Sequence, residues 1–294
     1  MSEVERTEDD LVEGVSLWQD AWRRLRKNRL ASVSAWVIVS FVALCFVGPL
    51  LSPYGFEQQD LAYGARGPSG AHWLGTDHQG RDLLTRILFG GQISLLVGLL
   101  AAGVSLAIGT LYGAVSAYAG GRVDNFMMRV VDIIYSLPYM FLVILLVAIV
   151  GRSLVLLFVA LGAVQWLTAA RIVRGQVLSL KEKEFVEAAR ATGVRPFTIV
   201  LRHLIPNTLG TMIVYFTLTV PSVILQEAFL SFLGLGVQAP RPSLGGLIND
   251  GANAMVVYPW TLLFPAIAMA ALLFCLNFVG DGLRDALDPK MRNV

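Results

Sequence analysis

The sequence predicts an all-α membrane protein with six transmembrane helices, and three observations carry that expectation. Hydrophobic residues make up 55% of the 294 and charged residues only 15%, with a mean hydropathy of +0.64; soluble domains carry about 25% charged residues. Six apolar runs reach the roughly 20 residues needed to cross a hydrocarbon core: 31–51, 93–118, 130–150, 154–170, 208–232 and 260–279. The Lys and Arg residues are also unevenly placed, 18 of the 23 lying before span one, after span two, after span four and after span six. That excess marks the cytoplasmic side, so both termini are expected there.

The net charge of +2 gives no reason to expect a nucleic-acid partner. Cys45 and Cys275 both sit in apolar runs, so neither a disulfide framework nor a Cys metal pair is expected. His72, His78 and His203 are scattered and suggest no metal site.

In chain order, segment 1–30 is polar and cytoplasmic. Its first apolar run comes too late and too long for a cleavable signal peptide. Ser16 to Arg29 reads as an amphipathic helix, with Ser16 and Gln19 at capping-box spacing. Trp18, Trp22 and Leu25 share one face and a basic face opposes them. Such a helix lies in the membrane interface; the alternative is a plain extension of span one, 31–51.

Segment 52–92 is expected as an external loop, and 93–279 as the membrane core. In span two, Gly109, Gly113 and Ala117 recur every fourth residue, a smooth stripe against which another helix can pack closely. Glycine being common in membrane helices is the plain alternative. Asp124, Arg129 and Asp132 near span three are expected to form a helix-end ion pair rather than a gate. Arg171 and Arg174 end span four and are expected to snorkel to the cytoplasmic surface. Gln226 and Glu227, near the external end of span five, read as interfacial structure, although a charge within a span also raises a functional site. Asp281, Arg284, Asp285 and Asp288 fall in a cytoplasmic tail, 280–294, expected to be a solvated or contact face.

The cytoplasmic segment 171–207 is the most informative. Residues 180–192 are helix formers without a breaker, Gly193 can take positive φ and stop the helix, and Pro196 follows it. A second short helical stretch, 197–204, precedes Pro206. The product is a helix, a sharp turn and a second helix. Ala188 and Ala189 are small enough to lie deep in a partner's groove, Glu187 offers a charge at the contact, and Gly193 sets the turn. From spacing alone, a solvated hairpin with no partner remains equally open.

These residues also carry a resemblance. Glu187-Ala188-Ala189, then Gly193, then an apolar stretch ending in Ile205-Pro206 resembles the signature loop of ATP-binding-cassette (ABC) importer permeases. His203 stands where the general signature has an apolar residue, as in the peptide branch. Similarity to the C-type permeases of peptide importers runs through Ser16–Asp20, His72–Asp77, Gly80–Leu84, Ala170–Gln176, Phe229–Gly236 and Gly280–Pro289. The first and fourth of these stretches look most like the oligopeptide branch.

The resemblance implies the ABC importer permease fold, in the bacterial inner membrane, with Glu187, Ala188, Ala189 and Gly193 in a coupling helix that docks on an ATPase. It implies a second homologous permease, two cytoplasmic ATPase subunits that bind ATP and Mg, an extracytoplasmic peptide-binding protein and a peptide substrate. Dipeptides, nickel or another small solute are the alternatives within the family. No GxxxxGK[ST] phosphate loop occurs and the dipeptide Gly-Lys is absent, so no ATPase or other catalytic site and no cofactor is expected in the chain itself. An ion-driven secondary carrier would need ionisable groups deep in its spans; the candidates here lie at helix ends.

Overall fold

The computed structural model describes residues 17–151 and 153–287. Arg6, Ser16, Arg152, Asp288, Pro289, Lys290, Arg292 and the side chains of Trp18 and Gln19, all used above, lie outside that description. Among the described residues every element is helical: α1 Leu17–Lys27, α2 Arg29–Leu51, α3 Leu83–Ala119, α4 Gly121–Tyr135, α5 Tyr139–Val150, α6 Leu154–Leu180, α7 Glu184–Ala191, α8 Pro196–Ile199, α9 Ile205–Phe232, α10 Leu244–Ala254 and α11 Trp260–Leu287. Five helices are long and apolar enough to cross a membrane, and a bent pair makes a sixth.

The bent pair corrects span three. Instead of one helix over 130–150, α4 and α5 meet at 84°. Pro138 is the cause: it lacks an N–H and forces Leu137 out of helical backbone. The twelve residues of α5 extend only about 18 Å, too short to cross alone. Span two is longer than expected and the external loop shorter. Asp82 caps α3 by accepting from the Thr85 N–H at 2.8 Å, so the helix starts at Leu83 rather than 93.

The amphipathic segment is a separate helix, not an extension of span one. Asn28 is extended and accepts from the Ala31 N–H at 3.2 Å, ending α1 and starting α2. Trp22 is exposed, while Leu25 lies toward Gly282 of α11. The expected tail does not separate from span six, because α11 runs unbroken to Leu287.

At the centre, α3 packs against α6 and α9, and the stripe on α3 is why. A Cβ on Gly109 would collide with Ala169 and Trp166, and one on Gly113 with the Ala170 backbone. Ala117 is fully buried beside them. The expected close approach is therefore made, to α6. By contrast α2 buries only Ala31, Ser34 and Cys45.

Candidate functional site

The predicted helix–turn–helix segment is present, with three corrections. Helix α6 continues through Arg171 to Leu180, so much of 171–207 belongs to a span. The helix expected over 180–192 is interrupted at 181–183: the Lys181 ammonium donates to the Ala117 carbonyl at the end of α3 (3.2 Å) and Lys183 is extended. A tertiary contact here overrides local propensity. Pro206 does not end the second stretch, since helix runs from Pro196 to Phe232. A π-helical turn at Val200–Leu204 relieves the clash of the Pro206 ring with the carbonyl four residues back.

Gly193 ends α7 as the sequence requires, at φ +74. Its N–H donates to the Arg190 carbonyl (3.0 Å) and the Val194 N–H to that of Ala189 (3.1 Å), a Schellman turn. Nothing lies within 4 Å of a Cβ at Gly193, so the left-handed backbone, not space, calls for glycine there.

The eight residues of α7 present two faces. Val186 and Ala189 point inward and are buried among Val173 and Val177 of α6, Ala114 and Ala117 of α3, and Ile199, Val200 and Leu204 beyond the turn. Ala189 therefore seats α7 on its own core rather than in another chain's groove. Glu184, Glu187 and Ala188 face outward and are exposed, as are Phe185 and Phe197 (39% and 61%). Arg190 lies over the Tyr118 ring at 5.3 Å. The structure thus brings Glu187 and Ala188 together on an open face and puts Ala189 and Gly193 behind it as its mount.

The same end holds two interhelical ion pairs that correct the expectations for spans three and four. Asp124 accepts from Arg174 through both oxygens (2.7 and 2.6 Å) and from the Ser116 hydroxyl (2.7 Å). Asp132 accepts from Arg171 at 2.8 Å. Arg171 and Arg174 thus brace α4 against α6 instead of snorkelling freely, and Arg129 is in neither pair. The partners lie 39 and 50 residues apart, which sequence spacing does not reveal.

At the opposite end Glu227 is fully buried rather than interfacial. It accepts from the Ser231 hydroxyl (2.7 Å) and the Ser94 hydroxyl (3.4 Å), and Ser94 in turn accepts from the Leu244 N–H at the start of α10 (3.1 Å). Glu227 thereby ties α9, α3 and α10, which supports the structural reading. Gln226 accepts from the Tyr139 hydroxyl and from Gln165 Nε2. Helix α10 leaves no mark in the hydropathy pattern, because its small and polar residues carry no apolar run, although Ser243 caps it by accepting from the Gly246 N–H.

The loop before α3 is ordered by its own motif. His72 Nδ1 pairs with Asp82 at 2.9 Å, and the Trp260 indole donates to the Thr76 carbonyl at 3.0 Å, fastening the loop to α11. Asp77 Oδ2 accepts from Arg81 Nε (2.7 Å) and Arg86 Nη1 (3.0 Å). Burial pushes the nearby Asp250 carboxyl above its ordinary range, with Arg81 and His78 pulling it back.

The comparisons with known proteins agree with this architecture. Residues 105–293 match the family model for the binding-protein-dependent transport system inner membrane component, and residues 16–68 that for the N-terminal transmembrane domain of oligopeptide transport permease C. The chain is 52% identical over 291 residues to the oligopeptide transport system permease protein OppC of Haemophilus influenzae (98% of this chain, 94% of that one). It is 55% identical over 283 residues to the protein of the same name in Escherichia coli strain K12 (96% and 94%). Among solved structures it is similar to a chain of the inward-facing MetNI methionine ABC transporter. The TM-score there is 0.55 at 21% identity, covering 70% of this chain and 96% of that one.

Proposed function

The chain belongs to the family of binding-protein-dependent transport system inner membrane components, and on that premise we propose that it forms, with a second homologous permease, the membrane path through which an ABC importer takes up oligopeptides. Two ATPase subunits bind the cytoplasmic loops of the permease pair, hydrolyse ATP with Mg and supply the energy. An extracytoplasmic binding protein delivers the peptide. The oligopeptide substrate rests on the 52% and 55% identities to permeases of that name.

The observation that carries the mechanical part is the two-faced α7. Its outer face, with Glu184, Glu187 and Ala188, is the ATPase contact. Its inner face, with Val186 and Ala189, presses on α3, α6 and the start of α9 at once. A displacement of α7 therefore moves three spans together, because close-packed interiors transmit strain instead of absorbing it. The ion pairs of Arg171 and Arg174 extend the coupled block to α4. Alternating access follows if that block shifts when the ATPases close on ATP.

The orientation belongs to the same reading: termini and α7 are cytoplasmic, 52–82 and α10 external. Ser69 and Ser179 are both exposed. With Cys45 and Cys275 replaced by Ala, Ser69→Cys should react with a membrane-impermeant thiol reagent in intact cells and Ser179→Cys only after lysis. The reverse pattern overturns the topology. For the function, the chain should restore oligopeptide uptake to cells lacking their own C-type permease when expressed with its partner subunits. Uptake at the background rate, with the complex assembled, would refute the substrate.

A further inference from the structure

We propose that Gln165 and Gln226 form a station within the membrane path that holds the passing peptide by its backbone amide groups; this deepens the importer reading and rests on it. The two side chains come from α6 and α9 and meet the hydroxyl of Tyr139, the first residue of α5. Gln226 Oε1 accepts from that hydroxyl and from Gln165 Nε2, the latter at 3.2 Å. The other two amide atoms are unused. Among the described residues Gln226 Nε2 donates to no group and Gln165 Oε1 accepts from none, and neither atom is enclosed. The cluster thus presents one open donor and one open acceptor, the complement of the C=O and N–H in a peptide unit. Ser222, one turn before Gln226 on the same face of α9, is exposed.

The cluster sits at membrane depth. Gln165 is eleven residues past the start of α6, about 16 Å along the helix. Tyr139 lies at the far end of the roughly 18 Å of α5. Both values fall near the middle of a hydrocarbon layer about 30 Å thick. Lipid tails cannot satisfy an open amide there, so the site calls for a polar occupant. The break in span three points the same way independently. Residues Tyr135 to Pro138, where α4 and α5 meet at 84°, are exposed except for a half-turn of hydrogen bonds to Ile133 and Ile134. Irregular backbone at this depth survives only against protein or a water-filled cavity, and broken helices are where carriers form their sites. No charged side chain joins the cluster; its remaining tie is the Tyr215 hydroxyl, which donates to the Gln165 carbonyl at 3.2 Å and pins α9 to α6. A neutral site suits a cargo whose side chains vary, since it grips the backbone they share and holds no peptide too tightly to leave.

The test reads uptake into proteoliposomes holding the complete importer, with ATP inside and saturating peptide-loaded binding protein outside. Gln226→Glu keeps the oxygen to which Tyr139 and Gln165 donate and replaces the open N–H by a second acceptor. Trialanine uptake should fall about tenfold, the value of one lost hydrogen bond. A lysine-containing tripeptide should fall less, so the preference for it rises severalfold over the parent. Gln226→Leu should slow both peptides alike. Parental uptake of trialanine in both variants overturns the proposal. An equal loss for both peptides in Gln226→Glu overturns it too, because damage to the fold alone would account for it. So does loss of the second permease on co-purification, since the open amides would then be a contact between permeases. If the unaltered complex, assembled and hydrolysing ATP, takes up neither peptide, the oligopeptide reading itself falls, and the proposal with it.

Discussion

At the α7 end, helices α3 and α6 meet through Gly109, Gly113, Ala117, Ala169 and Ala170, and Arg–Asp pairs brace the rim. At the α10 end, α3, α9 and α10 meet through Ser94, Glu227, Ser231 and Ser243, with a carboxyl buried in their midst. The first end is a tight apolar seam with charge at its rim, where Arg174 pairs with the buried Asp124, Arg171 with Asp132, and Lys181 reaches the Ala117 carbonyl. The second is a polar knot sealed from solvent. Small-residue seams tolerate no added volume, whereas polar knots tolerate no missing partner. The two ends therefore differ in what breaks them.

Adding volume to the seam should do the most damage. Gly113→Val drives a side chain into the Ala170 backbone, and overpacking of this kind costs about 1 to 3 kcal/mol or more. Folded protein recovered from membranes should fall severalfold by detergent size-exclusion. Gly175→Val, at an open position on α6, should stay near the parent. Equal recovery of the two would mean that the seam is not tight.

Next comes the knot. Glu227→Leu leaves the Ser94 and Ser231 hydroxyls without their acceptor and should lower stability by about 1 to 3 kcal/mol, read as a drop in thermal midpoint in detergent. Glu227→Gln keeps an acceptor and should lose less. A Leu variant as stable as the parent would show that the α10 end is held by its apolar contacts alone.

The remaining two changes sharpen the contrast by sparing both cores. Gly193→Val forces a β-branched residue to φ +74, a strain of about 1 to 3 kcal/mol confined to the surface turn. Membrane levels should stay near normal while peptide uptake per inserted protein falls severalfold. Glu187→Ala removes one exposed charge and should reduce uptake least, since such contacts are weak. Wild-type uptake in both variants would dissociate α7 from coupling.

Apolar length made the spans readable, and the four-residue stripe made the seam readable, because each is written in consecutive or periodic residues. Gly193 was readable for the same local reason. The bend in span three was also written locally, in Pro138, but a hydropathy count passes over a single proline. Other features depend on residues far apart in the chain. Lys181 breaks the helix after α6 by reaching Ala117, Arg174 finds Asp124, and Glu227 is buried only because Ser94 and α10 close over it. In the segment after span four, composition gave the helices and the turn but not which face of α7 points outward. That choice is made by the pocket that receives Val186 and Ala189.

The length of α3 has a mechanical consequence. Its 37 residues run unbroken from Leu83 to Ala119, about 55 Å at the helical rise, and contain no proline. Its first turns carry Arg86, which pairs with Asp77 and lies 3.7 Å from Asp250 of α10; its last turn receives Lys181 beside α7. A rod of that length converts rotation into displacement: tilting it by about 5° swings one end about 5 Å relative to the other. The α10 end and the α7 end of the bundle are thus joined by opposite tips of one lever, with no relay of loops between them.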